Sequence, residues 1–101
     1  MKLLTQEIVK KLPKLGDTEG VPTKDKAVIV KFFDPTGSWT WYATEWDGED
    51  LIFGLVDGYE LEWGYFRLKE LKSVKRLLGL GWEKMVGMPK IKDIPALKGR
   101  V

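Results

Sequence analysis

Two groups of carboxylates offer the first chemistry. Asp47, Glu49 and Asp50 crowd one turn, and Asp57, Glu60 and Glu62 gather near the next. Oxygen ligands of this kind suit magnesium or calcium. The order Asp47-Gly48-Glu49-Asp50 lacks the ligand spacing of a calcium loop, however, and hairpin turns favour Asp and Gly for backbone reasons alone. A solvated acidic turn is the better reading, and neither a metal nor a cofactor is expected. A pair of carboxylates can also hydrolyse a glycosidic bond. An enzyme built on Asp57, Glu60 and Glu62 is nevertheless the least favoured reading, because the chain is short and no substrate cleft is visible. There is no His and no Cys, and the only serines are Ser38 and Ser73, neither in a nucleophile elbow. Most acid–base and nucleophilic constellations are thereby excluded, with thiolate zinc sites and disulfides. No Walker-type phosphate loop occurs. No catalytic residue is assigned, and a protein that is not an enzyme is expected.

The aromatic residues are the second candidate. Trp39, Trp41, Tyr42, Trp46, Tyr59, Trp63, Tyr65 and Trp82 are many for this length. Strand alternation places Trp39 and Trp41 on one face and Tyr42 and Trp46 on the other. One set fills a core. The other suits a platform for single-stranded nucleic acid or a protein interface. The plainer alternative is that both sets are structural, since aromatic rings dominate core energetics. Lys69, Lys72 and Arg76 form a third candidate: their spacing puts them on one helical stripe, with Arg67 and Lys75 nearby. Such a stripe can face phosphates or simply be the solvated side of a helix. The candidate binding residues are therefore Trp39, Trp41, Trp46, Trp63, Tyr65, Lys69, Lys72 and Arg76.

These side chains need elements to position them. Leu4, Ile8, Leu12 and Leu15 recur at nearly helical spacing, Thr5 can cap a helix starting at Gln6, and Pro13 should end it at about Lys11 or Leu12. Residues 16–24 read as a loop. Residues 26–33 are apolar on both faces and suit an interior strand. Asp34-Pro35-Thr36-Gly37 has the signature of a type I turn. Residues 39–46 favour strand, and Asp47-Gly48 marks a hairpin turn. Residues 51–56 are a further strand, ended by Asp57-Gly58. In residues 59–65 period two puts the aromatics on one face and the glutamates on the other. Leu68, Leu71, Val74 and Leu78 then fit a short helix, broken at Gly79-Leu80-Gly81. Residues 82–88 offer a weaker fifth strand, and the tail offers one helical turn near 94–98. The expected fold is α+β: an antiparallel four- to five-stranded meander with an N-terminal helix and a second short helix after the fourth strand.

The 101 residues, 44% of them apolar, fit one domain spanning residues 1–101. The longest strongly apolar runs, 27–30 and 51–56, fall far short of the roughly 20 residues of a membrane helix. With no signal-peptide pattern at the start, a cytoplasmic setting without membrane attachment is the default. There is no Asn, and Gln6 is the only Gln, while Lys and Glu abound. That is the trend of heat-adapted chains and suggests thermostability. The net charge of +2 hides three blocks. Residues 1–31 carry 7 basic and 4 acidic side chains, residues 32–66 carry 8 acidic and no basic ones, and residues 67–101 carry 10 basic and 3 acidic ones. The ends can pack against the middle and neutralise it, or the middle can present its charge to a partner.

At the strand block the sequence becomes more specific. Lys31-Phe32-Phe33-Asp34-Pro35, Thr40-Trp41-Tyr42-Ala43-Thr44-Glu45, Phe53-Gly54-Leu55-Val56-Asp57-Gly58 and Glu62-Trp63-Gly64-Tyr65-Phe66 resemble the bacterial domain-of-unknown-function family 2958. Lys2-Leu3-Leu4-Thr5 and Lys11-Leu12-Pro13 fit its pattern too, so the resemblance spans nearly the whole chain. It implies a small protein of the kind often encoded on plasmids, phages and other mobile elements, some beside replication or helicase genes. It brings no catalytic residues. Two positions depart from the pattern. Arg67 stands where a capping Ser is expected before Leu68-Lys69-Glu70-Leu71, and Glu83-Lys84-Met85 stands where Glu-Arg-Asp is expected. The second departure speaks against a shared site that would use an Arg–Asp pair there.

The expected function is that of a non-catalytic accessory binding domain of mobile-element origin, with a nucleic acid or a host protein as its macromolecular partner. The rival is a protein-binding inhibitor of the anti-defence type, whose acidic central segment mimics nucleic-acid charge.

Overall fold

The computed structural model describes residues 4–36 and 39–101, with the backbone alone for 76–78. The first helix, α1 (Gln6–Lys11), begins where Thr5 Oγ1 accepts the N–H of Ile8 at 3.3 Å. It stops at Leu12, whose backbone is extended ahead of Pro13. Four strands follow: β1 (Val30–Phe33), β2 (Thr40–Trp46), β3 (Leu51–Asp57) and β4 (Leu61–Arg67). Each is antiparallel to the next, as the hairpin signals predict. Helix α2 (Leu68–Leu78) then leads to β5 (Gly81–Lys84), which pairs antiparallel with the far side of β1. The order across the single sheet is β4-β3-β2-β1-β5. Helix α2 must therefore carry the chain from one edge of the sheet to the other.

Several boundaries differ from the sequence expectation, and the fourth strand runs 61–67 rather than 59–65, which leaves Tyr59 in the turn before it. The first strand is shorter than 26–33, because the segment before Val30 bonds irregularly: Ile29 N–H donates to Ala43 O and Val28 N–H to Pro89 O. The fifth strand stops at Lys84 instead of reaching residue 88; Met85 N–H still donates to Ile29 O before the chain turns at residues 86–87. The tail holds two short 3-10 turns, Ile91–Asp93 and Pro95–Leu97, rather than one. In the 34–37 turn, Asp34 Oδ1 accepts from the N–H and hydroxyl of Thr36, both at 2.8 Å; Gly37 and Ser38 lie outside the described residues.

A β-bulge sets which side chains share a face. Ala43 pairs with Gly54, but the next pair is Glu45 with Phe53, so Thr44 is the extra residue. Its hydroxyl donates to Phe53 O at 2.8 Å. The bulge reverses the alternation after it. Trp46 joins Trp41 on the face under the helices, while Glu45 joins Tyr42 on the other. This corrects the assignment of Tyr42 and Trp46 to one face, which assumed an unbroken period of two. The tight contact also dictates Gly54, where a Cβ would lie 1.9 Å from Tyr42 O.

Both faces are covered. On one, Ile8 and Leu12 of the α1 segment and Leu68 and Leu71 of α2 bury Val30, Phe32, Ala43, Ile52 and Phe66. On the other, Ile91, Ile94 and Leu97 of the tail bury Val28, Tyr42 and Leu55. Among the described residues no helix is long and apolar enough to cross a membrane. The departure at Arg67 is compensated from a distance: Arg67 makes no side-chain cap, and Asp50 in the β2–β3 turn accepts the Lys69 N–H at 3.0 Å through Oδ1.

Candidate functional site

The tail-covered face of the sheet carries a buried ion pair. A carboxylate buried on a strand is costly unless it is fully bonded. Glu45 meets that requirement: Oε1 accepts the Gly16 N–H at 2.8 Å, and Oε2 accepts the Thr18 N–H at 3.1 Å and the Thr18 hydroxyl. Lys26 Nζ sits 3.7 Å from Oε2, and both side chains are only 5% exposed. The ammonium also donates to Thr18 Oγ1 at 2.8 Å and to Thr18 O. Burial by itself pushes the Glu45 carboxyl up, but the bonds from Thr18 and Gly16 and the charge of Lys26 outweigh it and hold the group below its ordinary value. The pair thus ties the loop before the 3-10 turn Thr23–Asp25 to β2.

Beside this pair lie three rings. Phe53 stacks on Trp63, with centroids 5.6 Å apart and planes at 22°, and meets Tyr65 at 5.1 Å. Lys26 Nζ is 5.9 Å from the Phe53 centroid. Tyr65 is 64% exposed. Val21, Thr23, Lys26, Glu45, Phe53 and Tyr65 border an open depression of about 380 Å³. A second, of about 400 Å³, continues beside Lys24, Leu55, Leu61, Trp63 and Arg100. Two of the three cations on these depressions, Lys26 and Arg100, face carboxylates, the third being the exposed Lys24, and Lys92 and Arg67 elsewhere do so as well. Lys26 has Glu45, Lys92 has Asp25 at 2.9 Å, Arg67 has Asp50 at 3.3 Å, and Arg100 forms a two-bond fork with Asp57 at 2.9 Å each. Three of these carboxylates, Glu45, Asp50 and Asp57, belong to the acidic middle block, which the basic ends do pack against.

The candidate residues read from the sequence are not brought together. Trp41 and Trp46 pack against the helix-side core, and the buried Trp46 N–H has no hydrogen-bond partner among the described residues. Trp39 meets Tyr59 edge-on at 5.3 Å, and its ring fills the space a Cβ on Gly58 would need. Tyr59 is 95% exposed, but Glu60 and Glu62 border the same patch. Trp63 and Tyr65 do share a site, on the face away from α2. Lys69 and Lys72 are exposed on α2, beside Glu70 and Ser73. The Arg76 side chain lies outside the described residues.

The carboxylates are likewise dispersed. Asp47 Oδ1 accepts the N–H groups of Glu49, Asp50 and Leu51 at 2.8–3.0 Å, which holds its carboxyl below its ordinary value. Asp57 is engaged by Arg100, leaving Glu60 and Glu62 exposed. Among the described residues, no three His, Cys, Asp or Glu side chains are grouped to hold a metal ion. Sequence reading missed Lys26, Glu45, Thr18 and Phe53. The one available signal was a lone Glu between Thr44 and Trp46 inside an otherwise apolar and β-branched strand.

No curated protein and no solved structure matches the chain. The family described as "Protein of unknown function (DUF2958)" matches residues 3–94, and the chain belongs to it.

Proposed function

We propose that the chain is a non-catalytic accessory domain, in the mobile-element setting that the family resemblance implies, and that it works by binding a protein through Phe53, Trp63 and Tyr65. The observation that carries this reading is the ring set of exposed Tyr65 and half-buried Phe53 and Trp63, beside depressions where two of the three bordering cations, Lys26 and Arg100, already have carboxylate partners. A nucleic-acid platform needs uncompensated cations beside its rings, because phosphate contacts supply most of the affinity. A protein interface needs aromatic anchors and a near-neutral surround. Charge mimicry by the acidic segment is less favoured, since Glu45, Asp50 and Asp57 are paired and Asp47 is bonded to its own turn.

A second reading rests on the exposed Lys69 and Lys72 of α2, which suit phosphates. Two measurements separate the readings. Fluorescence anisotropy with single- and double-stranded DNA and RNA at low salt is expected to show no binding. Affinity capture from the native host is expected to yield a protein that Tyr65→Ala loses and that Lys69→Ala/Lys72→Ala retains. Salt-sensitive nucleic-acid binding abolished by the lysine pair would overturn the first reading in favour of the second.

A further inference from the structure

We infer that β4 is the interface between two copies of this chain, paired antiparallel about a two-fold axis at Gly64. Strand β4 is one edge of the sheet. Leu68 N–H donates to Asp50 O and Gly58 N–H to Glu60 O, which fixes the parity of the β3–β4 ladder. Glu62, Gly64 and Phe66 use their backbone groups on β3. Those of Leu61, Trp63, Tyr65 and Arg67 point away from the sheet, and among the described residues no strand pairs with them.

Edge strands are ordinarily protected by brevity, proline, lysine or a bulge. The opposite edge, β5, has only four residues and carries Glu83 and Lys84. Strand β4 has seven residues and no proline, lysine or bulge, and its two charges, Glu62 and Arg67, lie toward its ends. Its centre is a glycine that the single chain does not require. Gly64 has no positive φ, and a Cβ there would meet no atom within 4 Å. A glycine inside a strand weakens it and often marks the close approach of another backbone.

The occupant follows from the order of residues along the strand. The exposed Glu60 and Glu62 lie at one end, and the exposed Lys69 lies just past the other, where Arg67 keeps Asp50 as its partner. Antiparallel pairing about Gly64 sets the acidic end of each copy against the basic end of its mate, which makes the strand complementary to itself. The same register matches outward-facing backbone groups: Trp63 with Tyr65 of the mate, Leu61 with Arg67, and Gly64 with Gly64 on the axis. The two ring sets then adjoin on one face of a ten-stranded sheet. This inference stands independently of the partner reading, since the rings remain open on the face while the edge is used.

The axis can be tested with one thiol, because the chain has no Cys. Two residues facing each other at a non-hydrogen-bonded antiparallel position have Cα atoms about 4.5 Å apart, within disulfide range. A register displaced by two residues would separate them to about 8 Å, outside that range. Gly64→Cys is expected to give a covalent dimer on mild oxidation. By analytical ultracentrifugation the unaltered chain is expected to dimerise with rising concentration. Gly64→Lys and Gly64→Glu are each expected to stay monomeric alone and to form a heterodimer when mixed, which shows that both variants fold. A monomer at every concentration overturns the proposal, as does a dimer that Gly64→Cys cannot bridge. Self-association of Gly64→Lys equal to that of the unaltered chain also overturns it.

Discussion

Thr44 donates its hydroxyl to the carbonyl of Phe53, and the bulge at that contact decides that Glu45, not Trp46, faces Lys26. The stability of the ion pair therefore bears directly on the loop it holds. Removing one member of a buried pair leaves the other uncompensated and costs about 3–5 kcal/mol. Lys26→Met and Glu45→Leu should each lower the unfolding free energy, measured by urea denaturation, by that order. Lys26→Met/Glu45→Leu should cost much less than the sum of the two. An additive double mutant would show that the pair is not coupled.

Acid should unfold the protein partly through Glu45. Its folded-state pKa lies below the ordinary 4.5, so it contributes stability above that value, lost as pH falls through the depressed one. Glu7, Asp25 and Asp47 are shifted in the same direction. Denaturant midpoints are expected to drop from about pH 5 downward, and Glu45→Gln should make that decline shallower. An unchanged slope would remove Glu45 as a contributor.

Asp50 acts as the cap of α2, a helix that begins eighteen residues later. Asp50→Ala should cost about 0.5–2 kcal/mol, the usual range for a lost cap. Arg67→Ser in that background should recover part of it, because a serine there can cap α2 locally. Thermal or urea melts of the three variants check this.

The glycines facing each other on β3 and β4 should respond oppositely. Gly54→Ala drives a methyl into Tyr42 O and must open the bulge, a loss of at least about 1–3 kcal/mol. Gly64→Ala meets open space and should change the stability of the single chain by no more than about 1 kcal/mol, in the stabilising direction. Comparison by urea denaturation at low protein concentration distinguishes them.

The lack of His, Cys and Asn leads to an expected thermal midpoint above the roughly 45–65 °C of mesophilic domains. A reversible melt inside that range counts against heat adaptation.

The fold was legible wherever local chemistry decides it. Thr5 and Pro13 bracket α1, the two Asp-Gly turns space the hairpins, and the Leu68–Leu71–Leu78 stripe marks α2. The candidate site was less so. Period two cannot register an extra residue at Thr44, so Trp46 and Glu45 were assigned without the reversal. Lys26 looked like the first residue of a strand, whereas its partners come from a loop and from β2. The rings were visible as a set, but only the crossover of α2 shows that Lys69 and Lys72 stand on the other side of the sheet from Trp63 and Tyr65.

That crossover also bears on the order of assembly. The hairpins of β1 to β4 join neighbours in the chain and close on the microsecond scale typical of such turns. Strand β5 pairs with β1 across the α2 crossover, Val30 with Lys84, a contact far more distant in sequence than any of the hairpins and so expected to close after them. Until then β1 is itself an unpaired border, flanked by the apolar residues 27–30. The amides of β1 that donate across to β5 should accordingly be the last in the sheet to gain protection in pulsed hydrogen exchange, and the nascent chain is most prone to self-association just before residue 84 docks.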